Sequence, residues 1–288
     1  MAVFEPRSLG KGGAKVSPLG VGTNRWRQGT NDGAVKETWG ALLDGGVSFI
    51  DTAEVYGFGK SERLIGDCIR ADPRPVTVAS KFAPFIARTS AAQLHRALDA
   101  SLSRLGLAAL DLYYIHFPFP FADLDALADA MVEAVKAGKV RHVGVSNFSA
   151  GQMRRMADRL GRAGIPLAAN EVNYSLANRK AETNGVLDAC RELDVALVAY
   201  FPLASGRLTD ATQGEPGPLR AELGKVAKDR GVSVSQVALN WLLRRDDHII
   251  PIPGASKARH AEDNIAALSW SLTDEEFAAI DVAAKPAG

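Results

Sequence analysis

Cysteine is nearly missing from this chain. The two present, Cys68 and Cys190, stand far apart and belong to no CxxC or Cys/His pattern, which excludes a disulfide framework and a zinc site and suits a reducing compartment. A surplus of charge is missing too. Lys and Arg number 34 against 33 Asp and Glu, a formal net charge of +1, so there is no basic footprint for nucleic acid or an anionic membrane surface. The opening stretch MAVFEPRSLGKGGAKV has no apolar signal segment, and no run approaches the roughly 20 apolar residues of a membrane span. The five histidines (95, 116, 142, 248 and 260) do not cluster with carboxylates, which excludes a metal-dependent hydrolase; no metal is expected. These absences point to a cytoplasmic protein with no nucleic-acid or membrane partner; a monomer or weak homo-oligomer is expected, although nothing in the sequence determines the oligomeric state.

Dinucleotide fingerprints are absent as well. Gly10-Lys-Gly12 needs a third glycine where Lys15 stands, and Gly57-Phe-Gly59 needs one where Glu62 stands. Gly59-Lys60-Ser61 imitates the end of a phosphate-binding loop, but Glu54 occupies the place of its first glycine. A doubly wound nucleotide fold is therefore excluded.

What is present is a recurring unit. Short apolar runs occur at 19–23, 47–50, 76–80, 110–115, 140–145, 166–170, 195–200 and 248–253, separated by amphipathic stretches of helical length. Ser90-Ala-Ala-Gln93, Ser149-Ala-Gly-Gln152 and Ser233-Val-Ser-Gln236 have capping-box spacing at helix starts. Runs without strict alternation, joined by helices, indicate parallel strands buried on both faces. Eight such units in 288 residues predict an α/β fold, a (β/α)8 TIM barrel of roughly 250 residues with modest additions. The additions are a helix over 217–230 after the seventh strand, behind a Gly/Pro-rich loop at 214–218, and a final helix over 273–284 opened by Thr273-Asp-Glu-Glu276. No linker divides the chain, so residues 1–288 are expected to form a single domain.

Barrels place their chemistry at the C-terminal ends of the strands. There the sequence sets Asp51, Lys81, His116, Ser146, Asn147, Glu171 and Tyr200, with Tyr56 in a glycine-bearing loop five residues past Asp51. Each alone has a structural explanation: an N-cap, a snorkelling lysine, a half-buried ring. Together, Asp51, Lys81 and His116 end three successive strands and converge on one side of the mouth. A tyrosine beside an ammonium is a sensible proton donor, because the cation is expected to lower a phenol pKa of about 10, while Asp51 holds Lys81 charged.

At these residues the chain resembles the aldo-keto reductase family. FIDTAEVYGFGKSERLIG at 49–66 is similar to its Asp/Tyr signature, SKF at 80–82 to its lysine motif and DLYYIHFP at 111–118 to its histidine motif. KVRHVGVSNFS, ANEVNYSL, AYFPLASGRLT and IPGASKARHAEDN follow in order. The resemblance implies a catalytic tetrad of Asp51, Tyr56, Lys81 and His116. Tyr56 would protonate a carbonyl oxygen while hydride arrives from a reduced nicotinamide, giving an alcohol. It also implies cofactor contacts at Gly22, Thr23, Asp51, Ser146, Asn147, Glu171, Tyr200, Pro202, Leu203, Ser205, Gly254, Ser256, Lys257, His260 and Asn264. Ser146, Asn147 and Glu171 fall at the carboxamide and Tyr200 against the ring. Lys257, Arg259 and His260 lie where a 2′-phosphate is read, so NADP(H) is preferred, with NAD(H) possible.

Three departures stand out: Glu171 replaces the usual Gln, His260 sits where Arg or Gln is frequent, and Phe117 replaces a common Trp. Trp26, Tyr56, Phe58, Phe82, His116 and Phe117, with Phe119 nearby, are expected to line an apolar substrate pocket, open because the loop at 117–123 is short. The same residues also serve two other readings: an alcohol or sugar dehydrogenase working oxidatively, and a nicotinamide-binding redox-sensing subunit.

Overall fold

The structure is a computed structural model that describes residues 4–27, 29–86, 88–208 and 217–284. The chain begins with an antiparallel hairpin of β1 (Arg7–Ser8) and β2 (Lys15–Val16), which the sequence reading did not foresee. Eight parallel strands follow as a nearly closed barrel: β3 (Val21–Gly22), β4 (Phe49–Asp51), β5 (Thr77–Phe82), β6 (Leu110–Ile115), β7 (Val140–Ser146), β8 (Leu167–Asn173), β9 (Ala196–Tyr200) and β10 (Ile249–Pro251). Each matches one of the eight apolar runs. The surrounding helices are α1 (Asp32–Asp44), α2 (Lys60–Ala71), α3 (Ala91–Leu105), α4 (Leu124–Lys136), α5 (Ala150–Gly161), α6 (Lys180–Thr183), α7 (Val186–Leu193), α8 (Pro218–Arg230), α9 (Val234–Arg245), α10 (Ala258–Ala266) and α11 (Asp274–Ala283). The expected additions are α8 and α11; residues 214–216 of the Gly/Pro-rich loop lie outside the described residues.

Strand periodicity explains why the apolar runs are continuous. Successive residues point to opposite faces, and both faces here are buried. Leu112 and Tyr114 of β6 join an inner cluster with Phe49, Ala79, Val198 and Ile250, while Tyr113 and Ile115 join the outer cluster under the helices. The first and last strands meet through Gly20 N–H to the Pro251 carbonyl at 3.0 Å and a parallel bridge between Gly22 and Gly254. A Cβ on Gly22 would stand 3.0 Å from the Ile252 carbonyl oxygen, so the close approach needs glycine there.

Helix starts follow the expected chemistry with one exception. Ser90, Ser149 and Thr273 form complete capping boxes. Ser233 accepts from Gln236 N, but the Gln236 side chain donates instead to Asp263 Oδ1 at 2.8 Å, so the local box gives way to a tie between α9 and α10.

Gly144 positions the site from below. A Cβ there would lie 2.5 Å from Tyr114 Cδ1, and it is the Tyr114 ring over which the Lys81 ammonium sits, 5.5 Å from its centroid. Gly144→Ala is expected to destabilise the fold by about 1–3 kcal/mol through overpacking. Urea unfolding checks this; a loss below about 0.5 kcal/mol would mean that the ring shifts freely.

Candidate active site at the carboxyl end of the barrel

Strand register brings the polar residues to one rim. Asp51 pairs with Ala79 on β5, Lys81 with Tyr114 on β6, Ser146 with Glu171 on β8, and Asn173 with Tyr200 on β9. Lys81 is fully buried, and its Nζ donates to both Asp51 carboxylate oxygens at 2.6 Å and to the Thr52 carbonyl at 2.9 Å. Glu171 Oε2 lies 3.1 Å from the same Nζ and has no aligned hydrogen bond among the described residues. An ammonium so placed stays charged. Burial pulls its pKa down, but Asp51 and Glu171 together outweigh that and hold it above the usual lysine range.

Tyr56 reaches this group by a sharp turn. Gly57, Phe58 and Gly59 all have left-handed backbone, with φ of 57°, 51° and 79°; the flanking glycines adopt it freely, whereas Phe58 is strained. Glu54 fastens the turn by accepting from Ala83 N at 2.8 Å and from both terminal nitrogens of Arg88 at 2.6 Å. The Tyr56 ring then stands 5.2 Å from Lys81 Nζ and meets His116 edge-on, with centroids 6.1 Å apart. The expected lowering of the Tyr56 pKa is overturned: burial, the largest influence, pushes the phenol up by more than the Lys81 charge pulls it down, and the acidic neighbours add to the rise. His116 stacks on Phe117 at 4.1 Å, and its Nδ1 has no partner among the described residues. Burial, then the Lys81 charge, hold its pKa down at about 3, so the ring is neutral near neutrality.

A second network frames the opposite wall. Ser146 Oγ and Asn147 N both donate to the Glu171 carbonyl, at 3.0 and 2.9 Å; Asn147 Nδ2 donates to the His116 carbonyl, and Tyr200 OH donates to Asn147 Oδ1 at 2.9 Å. Asn147 itself has a φ of 63°. These bonds lock the ends of β6 to β9 around one cavity. Its walls include Asp51, Tyr56, His116, Asn147, Glu171 and Tyr200, together with Gly22, Thr23 and Gly254.

The apolar lining needs correction. Trp26 is fully buried, with Nε1 donating to the Ala255 carbonyl at 2.7 Å, and Phe82 is fully buried in the outer cluster beneath the Arg88 guanidinium. Both belong to the core cluster between the barrel and its helices. Phe58, 89% exposed, is not among the residues that line the cavity. Phe117 does line it. Phe201, Asn24 and Ile252 line it too and were missed; Phe201 carries a φ of 50°, a signal that sequence does not display.

Beyond Phe201 the cavity continues as a cleft between Asn24, Arg25, Arg27, Ser205 and Ser256. Pro202 and Leu203 lead into a 3₁₀ turn, Ala204–Gly206, with Ser205 at φ 58°. The cleft runs toward α10, whose N-cap Lys257 provides no side-chain cap. The free N–H groups and the helix dipole there favour an anion. Lys257, Arg259 and His260 gather at that end, while Asn264 is buried one turn on. The His260 pKa is held down by partial burial and by the charges of Arg259, Lys257 and, more weakly, Arg25, with Asp263 opposing, so the cations of this end are Arg259, Lys257 and Arg25 beside a neutral imidazole. Such an arrangement fits a long phosphorylated cofactor: polar groups at the floor for a carboxamide, Tyr200 for a flat ring, cations at the far end. Among the described residues no group of three or more His, Cys, Asp or Glu gathers as a metal site requires, and no helix is long and apolar enough to cross a membrane.

The model of the Aldo/keto reductase family matches residues 18–285. The chloroplastic pyridoxal reductase of Arabidopsis thaliana is 34% identical over 311 residues, covering 95% of this chain and 85% of that protein. The 6-dehydroglucose reductase of Novosphingobium aromaticivorans is 32% identical over 294 residues, covering 97% of this chain and 95% of its own. The solved aldo/keto reductase of Klebsiella pneumoniae in complex with NADP and acetate superposes with a TM-score of 0.83 at 32% identity, covering 99% of this chain and 97% of that one. The barrel is thus an oxidoreductase. It belongs to the aldo/keto reductase family.

Proposed function

We propose that this protein, as one barrel domain over residues 1–288, reduces aldehydes and ketones to alcohols with NADPH. The observation that carries the reading is the convergence of Tyr56, Asp51 and His116 on one cavity, with Lys81 buried behind them, whose far wall is Asn147, Glu171 and Tyr200. When bound, the reduced nicotinamide supplies a hydride to the carbonyl carbon. Tyr56 gives its proton to the carbonyl oxygen, and the phenolate left behind faces the Lys81 ammonium. Phenols are intrinsically stronger acids than aliphatic alcohols, so proton transfer to the forming alkoxide is favoured even with the Tyr56 pKa raised by burial. Neutral His116 orients the carbonyl by a hydrogen bond and does not act as the acid. Ser146 and Asn147 hold the carboxamide, Glu171 accepts from its amide, and Tyr200 lies against the ring. Arg25, Lys257, Arg259 and His260 read the 2′-phosphate, which favours NADPH over NADH.

Wild type is expected to oxidise NADPH against a panel of aldehydes, aromatic ketones and quinones, followed by loss of reduced-cofactor absorbance. Tyr56→Phe should lower kcat by about 10²–10⁴-fold while cofactor still binds. Unchanged turnover in that variant would remove Tyr56 as the acid, and cofactor binding without turnover of any carbonyl would overturn the reductase reading.

A further inference from the structure

Two buried carboxyls share one ammonium at the barrel floor. Asp51 and Glu171 are 1% and 2% exposed, and both contact Lys81 Nζ. The other groups facing Glu171 bring no second cation: Tyr114 from β6, whose hydroxyl has no partner among the described residues, Tyr56 from the turn after β4, Tyr200 from β9, and Ser146 from β7, which donates to its carbonyl. His116, the nearest imidazole at this rim, is neutral. With both carboxyls ionised, the floor would carry an uncompensated negative charge away from water, a state that burial disfavours strongly. A carboxyl at this place holds a titrating proton, which an amide of the same shape does not.

We propose that Asp51 and Glu171 share one proton in the free enzyme, and that Glu171 releases it to solvent when the cationic, oxidised nicotinamide lies over the cavity. Glu171 is thereby a positioning residue that ties the redox state of the bound cofactor to pH. The inference rests on the cofactor placement proposed above. The balance is simple: one O–H bond breaks, the proton goes to solvent, and the carboxylate left behind pairs with the positive ring; no electron moves. The reduced ring is neutral and gives no cause for release. Burial, with the Asp51 charge adding to it and Lys81 opposing, raises the pKa of Glu171, and burial raises that of Asp51 against Lys81. Below the raised value of the pair, affinity for the oxidised cofactor therefore climbs with pH, by up to about tenfold per pH unit; above it the dependence vanishes.

The test mixes weakly buffered enzyme with NADP+ or NADPH in the presence of a pH-indicator dye, from about pH 6 to about pH 9, while tryptophan fluorescence reports binding. The expected result approaches one proton released per NADP+ in the lower part of that range and far less with NADPH; the 2′-phosphate, common to both, cancels in the difference. Glu171→Gln should abolish the difference, whereas Tyr56→Phe should keep it. Equal release with both cofactors, or loss of the difference in Tyr56→Phe with retention in Glu171→Gln, would overturn the proposal by assigning the proton elsewhere. Binding without release also overturns it and leaves the reductase reading standing, whereas binding of neither cofactor overturns both.

Discussion

Lys81→Met is expected to cost more than any other exchange at the site, in stability as well as in turnover. The variant removes the one cation that, among the described residues, forms ion pairs with Asp51 and Glu171, and leaves both carboxyls at the barrel floor. Removing one partner of a buried pair typically costs about 3–5 kcal/mol. The pH dependence identifies the cause. Without Lys81 both carboxyls must be protonated in the folded protein, so their folded pKa values rise further above the unfolded values of about 3.9 and 4.3. Stability gained that way is full below those unfolded values and is lost as pH rises toward the folded ones. Each extra proton bound by the folded state contributes a slope of about −1.4 kcal/mol per pH unit. Urea midpoints measured at several pH values should therefore fall with rising pH in Lys81→Met, and adding Asp51→Asn should recover part of the loss. A variant equally stable at all pH values, close to wild type, would mean that water reaches the floor and the pair is not buried in effect. Turnover should fall together with stability, since the Tyr56 phenolate then lacks its counter-charge.

Arg25→Ala and Lys257→Ala should each lower kcat/KM for NADPH about 10–100-fold while leaving NADH within about twofold, the range expected from losing a charged hydrogen bond to a phosphate. Arg25 comes from the loop after β3 and Lys257 from the entry to α10, and both charges act on His260; the expected losses rest on the proposal that the two read one 2′-phosphate. The discrimination should shrink with added salt, because both side chains are exposed and screened. Equal losses with both cofactors would place these cations on the pyrophosphate instead, and no loss with either would remove them from the site.

The barrel was legible because its signal is repeated. Each strand is a short apolar run buried on both faces, and most of the runs end in a polar residue that the register carries to the same rim. Asp51, Lys81 and His116 could be read in this way from strand ends alone. Trp26 and Phe82 could not, since an aromatic near a strand end serves core and cavity equally well, and only packing decides between them. Phe201 and Arg25 escaped for a related reason: their roles depend on a left-handed backbone and on the meeting of two loops far apart in sequence. The rise in the Tyr56 pKa was hidden as well. Sequence supplies the cation beside the phenol, but the depth of burial that outweighs it belongs to three dimensions.

The hairpin under the barrel carries a consequence for the making of the protein. Arg7 donates to the carbonyls of Ile249 and Leu243, and Lys11 N–H to that of Asp194 at 2.9 Å, so the base is sealed between the beginning of the chain and the entries to its last two strands. Arg7 and Ile249 are 242 residues apart. At a ribosomal pace of about 5–20 residues per second, the hairpin waits on the order of tens of seconds for its partners. Throughout that interval Leu9 and Val16, destined for the inner cluster, have no floor to seal, and the half-made sheet keeps two open edges. The vulnerable moment of this barrel is therefore its synthesis, and the last strand to emerge is the one that ends it.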